Sequence, residues 1–228
     1  MRTRTWEIRD FIALAVIPIQ LLLRWFLSRT QLAGGSAEAI ILFSVALISM
    51  IFLLMLYRDI LGEHWRRFRK KLWLKVLLSI VGAAALVGVL FGARLFLPAG
   101  AAEAATNGGE YAPIPVALGM ILSLVPLFVV FQEEIVFRHI LFFKHKNNKI
   151  LALSLFIISA VLFGLIHAMN FGGNIVQTIP YMFAGAFLGL IYLVGKNIWF
   201  AIGAHLVFNF TMATLPAIAV PIMQLFIG

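Results

Sequence analysis

Long apolar runs, each close to the length of a bilayer crossing, dominate this sequence and leave few folds open to it. A helix crosses the hydrocarbon layer in roughly 20 residues, and runs near that length occupy 11–27, 37–57, 72–97, 114–143, 151–170, 174–194 and 198–215. A shorter apolar piece, 216–227, begins at Pro216 and reads as a re-entrant or interfacial segment, or as half of a long kinked helix. Hydrophobic residues make up 63% of the 228 and charged residues 12%, more apolar surface than a soluble domain of this length encloses. In lipid each backbone N–H and C=O must be paired inside the protein, which excludes an open sheet. The runs are also too long and too uniformly apolar for barrel strands. The expected fold is therefore all-α: a polytopic transmembrane helix bundle of seven spans, with 216–227 as a candidate short eighth helix.

The net charge of +9 raises the question of a nucleic-acid partner, and the placement of the charges answers it. When the connections are assigned to alternate sides, one side receives Arg2, Arg4, Arg9, Arg58, Arg66, Arg67, Arg69, Lys70, Lys71, Lys75, Arg138, Lys144, Lys146, Lys149 and Lys196. Only Arg24, Arg29 and Arg94 remain on or near the other. This bias implies a cytoplasmic N-terminus and cytoplasmic basic loops. The positive charge is then topology and contact with anionic headgroups of the lipid bilayer, with no nucleic acid implied. The first run lacks a small-residue cleavage site behind it and reads as an uncleaved span. There is no cysteine, so disulfides, thiolate metal ligands and a cysteine nucleophile are excluded.

Two connections divide the chain. Residues 58–71 are dense in basic and aromatic residues, with Trp65, Phe68 and then Trp73, and suit a short amphipathic helix on the cytoplasmic surface. Residues 98–113 are rich in Ala, Gly and Pro, carry Glu103 and Glu110 but no Lys or Arg, and suit an outer loop. The expected organisation is an N-terminal three-span segment, 1–97, that outer loop, and a second helical unit, 114–228. Small residues recur at packing spacing in Gly88–Gly92, Ala160–Gly164–Ala168 and Gly185–Gly189, where helices can approach closely.

Ionisable groups inside apolar helices are costly and face the bundle interior. Among the acidic residues only Glu133 and Glu134 fall well inside an apolar run, and among the histidines only His167 and His205 do; His64, His139 and His145 lie with the basic segments. Glu133 and Glu134 are adjacent, so their side chains diverge by about 100° on a helix. Glu134 stands four residues before Arg138, the favourable order for an intrahelical ion pair. That pairing leaves Glu133 free to face the interior. Phe163 and His167 share one helix face, as do His205 and Asn209. Three helices thus offer a carboxylate, two imidazoles and an amide, a set able to hydrolyse a peptide bond without a nucleophilic side chain. Glu133 takes a proton from water, His167 holds the same water, and His205 with Asn209 donates to the oxyanion.

Glu133-Glu134-x-x-x-Arg138, Phe163-x-x-x-His167 and His205-x-x-x-Asn209, in that order on separate spans, resemble the CPBP/Abi intramembrane endopeptidases. That family includes the type II CAAX prenyl proteases and bacterial bacteriocin-processing and self-immunity proteins. The resemblance covers roughly 114–215 and implies a glutamate-dependent membrane peptidase. In it Glu133, His167, His205 and Asn209 are catalytic, while Glu134, Arg138 and Phe163 support them. It also implies a multi-pass protein, of bacterial type given the short chain, acting on a peptide or protein terminus at the membrane.

Other readings share these residues. Glu133, His167 and His205 also make a zinc ligand set, with Glu134 as base, although no His-Glu-x-x-His occurs; the favoured mechanism has no cofactor. A proton-coupled transporter would use intramembrane Glu and His, but no inverted repeat is found. A non-catalytic immunity or scaffold protein would keep the fold alone. Phe163 is expected to pack against a neighbouring helix, His139 and His145 to lie at the cytoplasmic surface, Gln132 and Gln177 to be candidate cavity residues, and Asn170 and Asn174 to occupy a plain turn. One distance does not close. His205 is nine residues from Lys196, roughly 14 Å along a helix, whereas His167 is eighteen from Lys149, roughly 27 Å. The fifth span must therefore tilt, start outside the membrane plane, or place the site nearer the outer leaflet.

Overall fold

The computed structural model of the chain describes residues 6–98 and 115–227, and among them the regular structure is wholly helical. Past Pro98, the expected outer loop 98–113 lies outside the described residues. In chain order the helices are α1 (Ile8–Leu27), α2 (Ser36–Leu56), α3 (Arg58–Phe68), α4 (Leu72–Arg94), α5 (Val116–Leu122) and α6 (Val125–Glu133). They are followed by α7 (Lys149–Leu165), α8 (Ile179–Gly195), α9 (Ile198–Asn209) and α10 (Leu215–Ile227). Six continuous helical runs are long and apolar enough to cross a bilayer: α1, α2, α4, Val116–His145, Val176–Gly195 and Ile198–Phe226. The 17-residue α7 completes the expected seven. The last apolar piece is the second half of a long helical run, Ile198–Phe226, in which α10 follows α9 through a widened turn.

Prolines mark where these runs break. Pro216 follows the widened turn between α9 and α10, while Pro126 and Pro180 each occupy the second position of a helix, α6 and α8 respectively. A missing N–H costs nothing there, because the first-turn donors have no intrahelical partner. Glycine governs the closest approach, between α7 and α8. A Cβ on Gly185 would fall 3.0 Å from Phe163 Cβ, and one on Gly189 2.6 Å from the Phe156 ring. Two of the three expected small-residue contacts are thus used through Gly164, Gly185 and Gly189. At Gly88 and Gly92 an added Cβ would meet nothing within 4 Å, so both face open space.

The amphipathic helix forms as α3, and its apolar stripe Ile60, Leu61, His64 and Phe68 turns into the bundle. It is bolted to the start of α9: Ile198 N–H donates to His64 Nδ1 at 3.1 Å and Asn197 Nδ2 to the His64 carbonyl at 2.8 Å. Trp199 Nε1 donates to the Leu61 carbonyl at 3.0 Å. Phe68 is buried against Phe200, while Trp65 and Trp73 are exposed. Helices α1, α2 and α4 pack directly against α6, α8 and α9, so the N-terminal three-span segment forms part of the wall around the second unit.

Candidate active site

Glu133 is the last residue of α6, and from Glu134 to Ile140 the backbone widens into a π-helix whose seven residues are all buried. A second π-turn, Phe210–Thr214, follows directly after Asn209. Such bulges concentrate at functional sites because they re-aim side chains that a regular helix would turn away. Here they bring two helix junctions together. Asn209 Nδ2 donates to the Pro126 carbonyl at 2.8 Å and Thr214 Oγ1 to the Ser123 carbonyl at 2.7 Å, which fixes the register of α9 against α6.

In that register His205 lies between both glutamates. Its Nδ1 donates to Glu134 Oε1 at 2.9 Å, and its Nε2 faces Glu133 Oε2 at 3.7 Å. Glu134 also pairs with Arg138 Nε at 3.2 Å, with both side chains fully buried. The pairing of Glu134 with Arg138 is as expected; its grip on His205, 71 residues further along the chain, is new. The Arg138 guanidinium lies 4.1 Å from the Phe163 ring centroid, so the electron-rich face covers a charge whose N–H groups lack hydrogen-bond partners. Phe163 packs edge-on against Phe137 at 5.6 Å and against His205 at 5.9 Å.

His167 departs from its expected place on a helix face. Helix α7 ends at Leu165, and His167 occupies the turn beyond it. Its Nδ1 is 2.8 Å from the Phe163 carbonyl. A carbonyl only accepts, so Nδ1 carries the proton and Nε2 of the neutral ring keeps its lone pair. The ring stacks on Tyr181 at 4.4 Å, a neighbour that no helical spacing pointed to.

Packing of α7 on the π-helix accounts for the excess length before His167. Phe142 packs against Phe156, and Ser159 Oγ donates to the Phe137 carbonyl, so α7 runs antiparallel to the π-helix with Phe156 level with Phe142. Lys149 therefore projects seven residues past that level, roughly 10 Å. His167 lies on the wall of the same cavity as Glu133 and His205.

A cavity of about 590 Å³ collects Glu133, Phe163, His167, His205 and Asn209 on its walls. The N-terminal segment supplies the facing wall, from residues 17–24, 42–46 and 86–94, including Gln20, Arg24 and Arg94. Every lining stretch comes from the middle of its helix or from the half remote from the basic loops. The basic end is shut by packing: Phe143 stacks on Tyr192 at 3.9 Å, and His139 Nδ1 shares a 2.9 Å hydrogen bond with the Tyr192 hydroxyl. His139 is thus buried, not at the surface as expected, because the π-helix that holds it is enclosed on all sides. Asn170 is also more than a turn residue, since it lines the cavity and its Oδ1 accepts from Arg24 at 3.0 Å. Gln132 lines the cavity, whereas Gln177 is buried in the turn before α8. His145 lies against Trp6 near the basic end.

Fold and site together define a polytopic helical membrane protein that encloses an acid–histidine cluster within its bundle. Residues 115–211 match the family described as type II CAAX prenyl endopeptidase Rce1-like, so this part of the chain is similar to that family of membrane proteases. All three motifs fall inside the matched stretch, and helices α1 to α4 fall outside it. Comparison with curated proteins and with solved structures finds no match to the chain.

Proposed function

We propose that the chain is a glutamate-dependent intramembrane endopeptidase that works without a metal and cuts a membrane-associated peptide inside this cavity. The observation that carries this reading is the 3.7 Å gap between Glu133 Oε2 and His205 Nε2 on a wall shared with His167 and Asn209. Glu133 accepts a proton from a water that His167 Nε2 also holds, and the water oxygen attacks the peptide carbonyl carbon. The carbonyl oxygen becomes an oxyanion. It takes one hydrogen bond from the His205 Nε2–H and one from the Asn209 amide, whose second N–H is left after the bond to Pro126. As the C–N bond breaks, Glu133 passes the proton to the departing amine.

Glu134 and Arg138 support this chemistry without touching substrate. Glu134 accepts from His205 Nδ1 and so fixes the ring with Nε2 turned to the cavity, where donation to the oxyanion requires Nε2 to carry a proton as well. The zinc reading fits these residues less well. Glu134, which it needs as base, is held by His205 and Arg138. Among the described residues no three His, Asp or Glu side chains converge at metal-binding spacing.

With the basic loops cytoplasmic, the cavity extends toward the opposite face, and a membrane-anchored peptide end would enter from there. The direct test is hydrolysis of quenched-fluorescence peptides by the purified chain in liposomes, before and after chelation, alongside trace-metal analysis. Cleavage that survives chelation is expected. No cleavage of any peptide, or cleavage restored only by zinc, overturns the proposal.

A further inference from the structure

Two of the three basic residues remote from the basic loops turn into the cavity. Arg24 stands in the last turn of α1 and Arg94 closes α4, and both line the cavity wall. Arg29, the third, lies over the Trp25 ring at 3.8 Å and is not on that wall. Long basic side chains near a helix end ordinarily reach outward to lipid headgroups. Arg24 instead donates from Nη1 to Asn170 Oδ1 at 3.0 Å, and Asn170 also lines the cavity. A guanidinium only donates, so the Asn170 oxygen must face it. Asn170 sits in the tight turn that begins at His167, with its N–H bonded to the His167 carbonyl at 2.9 Å. Arg24 is thus tied to the segment that carries His167. Arg94 meets the Phe91 ring at 5.5 Å. Among the described residues neither guanidinium pairs with a carboxylate, and Glu133 is the one acid on the cavity wall.

We propose that Arg24 and Arg94 form a carboxylate-binding rim at the end of the cavity remote from the basic loops, selecting peptides that carry a negative charge a few residues from the scissile bond. The rim rests on the peptidase reading of the cavity and adds α1 and α4, outside the family match, to substrate choice. From His167 to Asn170 the chain advances roughly 6 Å, at the rise of a tight 3-10 turn. An extended peptide advances roughly 3.3 Å per residue. A segment whose carbonyl lies between Glu133 and His167 therefore brings a charge to Arg24 within a few residues. The planar guanidinium fork fits a carboxylate through paired N–H donors, and most of the Arg24 donors remain after the bond to Asn170. An acidic side chain and a free C-terminus present the same group.

The test is a set of peptides of one sequence, made with a free C-terminus or its amide and with an acidic side chain or its amide. Binding and hydrolysis are measured in neutral phosphatidylcholine liposomes for the wild type, Arg24→Gln, Arg94→Gln and the double variant. The wild type should prefer one carboxylate peptide over its amide by about 5- to 30-fold in kcat/KM, the worth of a charge-assisted hydrogen bond discounted for partial exposure. The pair that shows the preference names the source of the carboxylate. Each variant should narrow the ratio through KM, and the double variant should bring it close to unity. Arg29→Gln, a charge loss off the cavity wall, should keep it. No preference in the wild type, a ratio that survives in the double variant, equal narrowing by Arg29→Gln, or a preference that appears only with anionic lipid each overturns the rim and leaves the peptidase standing. Carboxylate-dependent binding to the wild type and to Glu133→Gln with no cleavage by either overturns the peptidase alone, and a chain that binds no peptide overturns both.

Discussion

Gly164→Ala is the sharpest test of how α7 is seated. A Cβ at this position would lie 2.9 Å from both the Met182 backbone nitrogen and the Thr178 carbonyl oxygen, as well as against the Met182 side chain. The side chain can rotate away; the two backbone atoms cannot. Restoring ordinary contact near 3.4 Å requires α7 and α8 to separate by about half an ångström, and overpacking of this kind costs about 1–3 kcal/mol. In a chain of 228 residues that is a melting-point drop of roughly 2–12 °C. Because α7 also carries Phe163 and positions His167, the same shift displaces the imidazole proposed to hold the water. A 1 Å misplacement costs about 10²-fold, so kcat should fall about tenfold. Gly88→Ala on α4 is the control: nothing lies within 4 Å of its added Cβ, and a helical Gly-to-Ala change there should be neutral or stabilise by up to about 1 kcal/mol. Thermal unfolding in detergent with a parallel peptidase assay reads both. Equal effects of the two substitutions would refute the close α7–α8 approach.

Three further outcomes follow from the same geometry. Arg138→Met or Glu134→Gln should each destabilise by about 3–5 kcal/mol by leaving a buried charge unpaired, and the double variant should lose much less than the sum; additive losses in a thermal double-mutant cycle would contradict the pair. Glu134→Gln should also lower peptidase kcat more than it raises KM, because it loosens His205 without touching substrate, and a pure KM effect would argue against that role. The chain has no cysteine, so single-cysteine labelling in oriented vesicles reports topology cleanly. Lys70→Cys should label from one side, and Arg29→Cys and Arg94→Cys from the other; labelling of all three from one side would overturn the proposed membrane orientation.

The spans were legible because lipid imposes a length and forbids charge, so α1, α2 and α4 stand out from composition alone. Glu134–Arg138 was legible because both ends lie within one helical turn. The contact of Glu134 with His205 was not, since its partner arrives on another helix. It also depends on a π-turn, and the seven residues from Glu134 to Ile140 carry no glycine or proline to announce one. His139 looked superficial because it follows Arg138 and precedes a lysine-rich turn, yet the wide turn buries it. The depth mismatch at His167 came from taking every lysine as level with the surface. Antiparallel packing of Phe142 on Phe156 shows that Lys149 overshoots. Gln132 was visible as a cavity candidate, but its bond to the Ala46 carbonyl on α2, 86 residues away, was not.

Glu133 is the centre of the account, and Glu133→Gln measures it most directly. The variant keeps the shape of the side chain and the hydrogen-bonded frame of Glu134, His205 and Arg138, and it removes only the proposed base. Labelled peptide should bind the variant in liposomes with the affinity of the wild type, while hydrolysis falls by about 10²–10⁴-fold, the usual worth of a general base. Hydrolysis within a few-fold of wild type, with binding intact, would contradict the assignment.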